Sequence, residues 1–270
     1  MRMAISNLAW KAESTEQALT MLKAAGADGI EAAPTRIAPW EGLTRDALLA
    51  YRNRVEAAGL TVSSLQAILF AKPDARLLDD SASFDEMVTH LKRVADMADT
   101  LGAGVMVFGA PRNRLRGALA EETALALARD RFRALGDALT GRPLVLGIEP
   151  VPANYGGDFL TSAQSVVSLV HAVDHPHIRV HLDTGCVKLG GDSIALAIAA
   201  AGNLLCHFHA SEPKLASFEQ PVADHEAAAK ALHATGYGGW VAIEMLEAPA
   251  DALRAAESAV RWVRRTYGSA

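Results

Sequence analysis

Eight times along this chain a short apolar run, mostly rich in β-branched residues, gives way to a longer segment with apolar residues at helical spacing, and turn residues fall between. The expected strands are Met3 to Ser6, Gly29 to Ala32, Thr61 to Gln66, Gly104 to Phe108, Leu144 to Glu149, Arg179 to Asp183, Leu204 to His209 and Trp240 to Glu244. Helical segments separate them. Ser14 is placed to cap the first and Gly26 to stop it, Thr161 and Ser162 are candidate caps before AQSVVSLVHAV, and Pro249 to Tyr267 supplies an eighth helix. Eight consecutive βα units fit the arithmetic of a closed parallel barrel, whereas a doubly wound sheet rarely carries so many without a domain break. No linker, low-complexity tract or sequence repeat interrupts the chain. The expected fold is therefore α/β, a single (β/α)8 TIM barrel in one domain over residues 1–270.

Composition narrows the partners. At 270 residues and 50% hydrophobic the chain can bury one large core. Its net charge of -5 gives no basic face for a polyanion, so nucleic acid is not an expected partner. No stretch approaches the roughly 20 apolar residues of a membrane span, and the start lacks a signal-peptide core. The expectation is a cytoplasmic protein with no membrane partner, its assembly into a homo-oligomer left open. Cys186 and Cys206, each in or beside an apolar run, read as reduced thiols rather than a disulfide scaffold.

In such barrels the chemistry sits at the C-terminal ends of the strands. Four successive expected strands close on residues that can bind a metal: LVLGIEP on Glu149, IRVHLDTG on Asp183, LLCHFHASE on His209 and GWVAIEM on Glu244. Neighbouring strand ends lie roughly 5 Å apart, so the four can converge. Each alone has a plainer explanation, since Asp183 before Thr-Gly can cap a turn and Glu149 before Pro150 can pair with a lysine. Together at one apolar mouth they would repel unless a cation or hydrogen bonds compensated them. Three carboxylates and an imidazole suit one divalent ion of intermediate hardness, manganese, magnesium or cobalt, with zinc as a further option. His181 and His207 point the same way one layer deeper, as interior histidines or as partners that orient a ligand.

The motifs GIEP, HLDTG, HFHASE and AIEM, in this order and spacing, resemble the sugar phosphate isomerase/epimerase family of xylose isomerase-like TIM barrels, the wider group that includes endonuclease IV. The likeness extends to GADGIEAAP, with Glu31 near its strand end, and to VFGAPRNR. It implies that Glu149, Asp183, His209 and Glu244 bind one divalent metal and that Glu149 and Glu244 move protons. The chain departs from the family's ketose 3-epimerases at three substrate positions. Cys186 stands where they have a histidine, Leu215 where they have an arginine and Tyr155 where they have a glutamate.

Candidate substrate contacts follow. Arg112 and Arg114, with Arg116 beyond them, lie past the fourth strand, where guanidinium forks can hold a phosphate or carboxylate. Glu31 and Gln66, near the ends of strands two and three, can hydrogen-bond sugar hydroxyls, Trp10 can wall a sugar ring, and Cys186, Lys188 and Lys214 stand near the departures. The resemblance implies a small sugar or sugar derivative as the substrate. The expected activity is an isomerase or epimerase that passes through a metal-stabilised enediolate with glutamate acid/base residues. A dehydratase on the same site is the alternative. A non-catalytic sugar-binding protein and an endonuclease IV-like nuclease are more distant ones, the latter disfavoured because Glu31, Gln66 and Cys186 stand where that enzyme has metal histidines.

Overall fold

The computed structural model describes residues 1–268. Its strands β1 (Arg2–Ser6), β2 (Gly29–Ala32), β3 (Thr61–Leu65), β4 (Val105–Phe108), β5 (Val145–Ile148), β6 (Ile178–Asp183), β7 (Leu205–Ser211) and β8 (Trp240–Glu244) pair in parallel in chain order. β8 closes on β1, so the sheet is a barrel. Around it lie α1 (Thr15–Ala25), α2 (Arg45–Ala57), α3 (Ser81–Leu101), α4 (Glu121–Asp137), α5 (Ala163–Val173), α6 (Thr184–Gly190), α7 (Ile194–Ala201), α8 (His225–Ala234) and α9 (Ala252–Gly268). The fold is the expected (β/α)8 TIM barrel. Among the described residues no single helix is long and apolar enough to cross a membrane.

The described chain has one α-helix more than expected, because the crossover from β6 to β7 carries two. Gly191, at φ 78°, stops α6, and the Ser193 hydroxyl accepts from the Leu196 amide to start α7. β2 and β8 have the expected limits, whereas β7 runs on to Ser211 and β5 stops one residue short of Glu149. Ser14 occupies the N-cap of α1 but makes no capping bond with its side chain, because it belongs to a 3-10 turn, Ala12–Ser14. Ser162 caps α5 reciprocally with Ser165.

Packing explains the two ends of the barrel. At the N-terminal end the Trp240 ring sits against Ala4 and Ala242, and a Cβ on Gly29 would lie 2.8 Å from that ring and 2.7 Å from the Thr61 carbonyl. Only glycine fits there. On the outside, α9 buries Ala256, Ala259, Val260 and Val263, the three- and four-residue spacing of one helical face. At the C-terminal end the inward residues are polar: Glu31, Ser64, His181, His207 and His209 are all fully or almost fully buried. A polar layer inside an apolar barrel needs partners for every group, and tracing them defines the site.

Candidate metal and substrate site

The arc from β5 to β8 carries four candidate donors side by side. Glu149 follows β5, Asp183 ends β6, His209 lies two residues inside the end of β7 and Glu244 ends β8. Register aligns Asp183 with His209 and Ser211 with Glu244. The Thr184 hydroxyl holds this register by donating to the Ser211 carbonyl at 2.7 Å and accepting from the Ser211 amide at 2.8 Å. The Nδ1 of His209 lies 3.2 Å from Glu244 Oε2 and 3.6 Å from Asp183 Oδ2. Asp183 divides its oxygens. Oδ1 accepts from the Cys186 amide at 2.6 Å and caps α6, while Oδ2, like His209 Nδ1, is buried without a hydrogen-bond partner. A buried carboxylate oxygen with no donor, beside an imidazole nitrogen that faces two carboxylates, is what a divalent cation would satisfy. Asp183, His209 and Glu244 offer one atom each within 4.8 Å of one another, and so do Glu149, Asp183 and Cys186. The residues present fit a divalent metal.

The electrostatics have the same origin. Burial pushes the Glu149 carboxyl up to about 8, and Asp183 and then Glu244 add to the shift. Glu244 is raised as well, by burial first, with His209 opposing. Burial disfavours the His209 imidazolium, but Glu31 and Glu244 outweigh it and hold its pKa well above the usual histidine range. Several carboxylates crowded into a low-dielectric mouth repel one another, and a cation is their natural counterion.

Beneath the donors is a buried support. Glu31 Oε2 lies 2.8 Å from His209 Nε2, and Glu31 Oε1 accepts from Ser64 Oγ at 2.7 Å and lies 2.9 Å from His207 Nε2. This holds the His209 ring with Nδ1 toward the mouth, as a carboxylate behind a metal histidine does. Burial alone would raise the Glu31 pKa, but His209 and His207 together bring it well below the usual carboxylate value. Register shifts between Ile30 and Glu31 and between Val180 and His181 re-aim these residues, a usual role of bulges near sites. The His181 ring meets that of His209 edge-on at 4.2 Å, with Nε2 4.0 Å from Glu149 Oε1.

A cavity of about 710 Å³ opens over this arc, and Gln66, Arg112 and Cys186 line it together with Glu149, His209 and Glu244. The Gln66 amide donates to the Ser6 hydroxyl, and Cys186 Sγ lies 3.5 Å from Glu149 Oε1. Burial, then Asp183 and Glu149, keeps the Cys186 thiol protonated. Other residues expected at the substrate lie elsewhere. Glu31 is sealed under His209 rather than facing the cavity, because two histidines and a serine take up its oxygens. Arg114 is 1% exposed and donates to the Glu149 carbonyl at 2.6 Å, so it braces Glu149 from behind, and burial lowers its pKa to about 10. Lys214 is exposed outside the cavity wall, with its amide donating to the Tyr155 hydroxyl at 2.7 Å. Lys188 pairs with Asp224 at 3.3 Å, and Trp10 is buried in the core.

Some participants carried no signal in the sequence. Ser64 looked like an ordinary strand residue. Gly109, just past β4, presses on the site so closely that a Cβ there would lie 2.1 Å from Glu149 Oε2. Glycine at that point lets the carboxylate reach the mouth.

Comparison with known proteins agrees with this fold. No curated protein sequence matches the chain. Among solved structures, 3-keto-D-glucoside 4-epimerase from E. coli superposes with a TM-score of 0.79 at 18% identity, covering 98% of this chain and 99% of that one. D-Psicose 3-epimerase with D-tagatose from Clostridium cellulolyticum H10 gives 0.83 at 16% identity, covering 99% of both. L-Ribulose 3-epimerase gives 0.82 at 18%, covering 99% of this chain and 94% of that one. At such identities the likeness is one of fold. The sequence itself matches the model of one family over residues 19–266, and the chain belongs to that family, the xylose isomerase-like TIM barrels.

Proposed function

We propose that this protein is a divalent-metal-dependent isomerase of epimerase type that acts on a keto-sugar or related sugar derivative. One observation carries the reading: Glu149 and Glu244 face one cavity from β5 and β8, with Asp183 and His209 on the strands between them. Two carboxylates on opposite sides of a bound sugar can remove a proton from one face of a carbon and return it on the other. Burial raises the pKa of both, to about 8 for Glu149, and so makes each a better proton acceptor than an exposed carboxylate. Glu149, Asp183, His209 and Glu244 would hold the ion, with manganese, magnesium or cobalt the best fit to an oxygen-rich set and zinc compatible. When bound, it supplies Lewis-acid polarisation of the carbonyl whose neighbouring C–H must ionise. Asp183 stays fixed by its bond to the Cys186 amide and His209 by Glu31. Gln66 and Arg112 line the cavity where they can bond sugar oxygens, and Cys186 packs beside Glu149. The similar solved structures of sugar epimerases support the class of reaction.

The test is proton exchange. Metal-loaded protein in heavy water, given a panel of ketoses, aldoses, their phosphates and keto-inositols, should place deuterium on a carbon next to a carbonyl, and chelation should stop it. Glu244→Gln and Glu149→Gln should each lower the exchange at least about a hundredfold while most of the metal stays bound. Exchange that survives both substitutions would refute the assignment of the glutamates. Loss of water without carbon-bound deuterium would replace the epimerase by a dehydratase.

A further inference from the structure

The cavity is larger than its proposed chemistry requires. A hexose of a dozen heavy atoms displaces roughly 200 Å³ at ordinary packing density, whereas the cavity holds about 710 Å³, a size typical of sites for drug-sized ligands. Beyond the charged arc its wall is mainly apolar: Ile68, Leu69 and Phe70 line one side, and Val151 and Leu215 also contribute. The C–H faces of a single sugar ring would cover only part of such a surface.

The wall from β3 to α3 is built rather than loose. His90 Nε2 lies 2.7 Å from the Ile68 carbonyl, Trp40 Nε1 donates to the Phe70 carbonyl at 2.9 Å, and Asn113 Nδ2 donates to the carbonyls of Lys72 and Ala75, both at 2.7 Å. Ala67 and Ala71 are held at φ 51° and 56°, and Leu215 at 56°, backbone states that cost energy and persist only where the surroundings enforce them. On this braced backbone the Phe70 side chain lies 63% exposed, lining the cavity. Arg112 lines the same chamber, and its side chain bonds to no described residue, which leaves a planar cation free to lie against a ring.

We propose that this outer wall is a subsite for a planar, apolar group attached to the sugar, so that the substrate is a keto-sugar bearing an aromatic aglycone rather than a free monosaccharide. The inference rests on the sugar-site reading above and extends it to the substrate class. An aromatic side chain on a braced backbone contributes affinity because it adds contact area at the cost of ordering only two side-chain torsions.

Calorimetric titration of metal-loaded protein with phenyl β-D-glucoside and methyl β-D-glucoside tests it. The phenyl compound should bind at least about tenfold tighter. Phe70→Ala, at an exposed position where folding is not at stake, should cut the difference to about twofold, and Phe70→Trp should restore it. Equal affinities in the unaltered protein, no binding of the phenyl compound at millimolar concentration, or a preference that survives Phe70→Ala would each overturn the subsite. Failure here is distinct from failure of the epimerase reading. An aryl preference without heavy-water exchange keeps the subsite and removes the chemistry, and exchange without an aryl preference does the reverse.

Discussion

Replacing Gly109 with alanine separates the placement of Glu149 from the integrity of the fold. The added methyl would sit 2.1 Å from Glu149 Oε2 and 3.3 Å from its Cδ. An ordinary carbon–oxygen contact is about 3.3 Å, so the carboxylate must retreat by about 1 Å. The clash is with the end of a flexible side chain, and Gly109 is not in the left-handed region, so the backbone accepts alanine without strain. Stability should hardly change: lost chain entropy in the unfolded state favours alanine by about 0.4–1 kcal/mol, and any offset should keep Tm within about 4 °C. The site should suffer much more. A displacement of about 1 Å can cost about a hundredfold in a reaction that depends on position, and a metal that loses a well-placed ligand should bind at least about tenfold more weakly. Manganese affinity measured against a competing chelator, with thermal unfolding of the metal-free protein alongside, checks both halves. Unchanged metal affinity in a folded Gly109→Ala protein would refute the claim that Glu149 is a ligand placed by that glycine.

Two further outcomes follow from the buried support and from the charges. Glu31→Gln keeps the shape but removes the negative charge behind His209 Nε2, and metal affinity should fall about 10- to 100-fold with the fold intact, as read by elemental analysis after dialysis against graded chelator. The Glu149 carboxyl, raised to about 8, must lose its proton to bind a cation, so metal binding below pH 8 should release a proton and tighten by up to about tenfold per pH unit. In the metal-free protein the sign is that of a raised acid: its stabilising effect is complete below the unfolded value near 4.5 and is lost as pH rises toward 8, so the Tm of chelated protein should fall over that window. Calorimetry in buffers of different ionisation enthalpy and unfolding scans from pH 5 to 8 would show it. Zero proton release and a flat Tm would contradict it.

The barrel was legible because each βα unit announces itself locally, through β-branched runs, glycine stops and serine caps. Asp183, Glu149, His209 and Glu244 stood out for the same reason, since a polar residue at the end of an apolar run is a local pattern. Depth was not legible. Glu31 and Arg114 looked like rim residues, yet a bulge turns Glu31 under His209, and the 3-10 turn Pro111–Arg114 folds Arg114 behind Glu149. Ser14 shows the limit for capping, because a short preceding turn removed the need for its side chain. Gly109 and Ser64 could not be found at all, because their roles consist of contacts with residues about 30 to 140 positions away. The extra helix in the β6–β7 crossover was readable in principle, since Gly190, Gly191 and Asp192 before Ser193 form a stop followed by a start.

The most direct test of the central claim is the metal content of the protein and of one paired substitution. After loading with manganese or cobalt and removal of free ion, the protein should hold close to one equivalent by elemental analysis, because Asp183, His209 and Glu244 converge at one point where Asp183 Oδ2 has no hydrogen-bond donor. Asp183→Asn combined with His209→Ala should abolish the bound metal while the chain still folds. Full occupancy in that double variant would contradict the site.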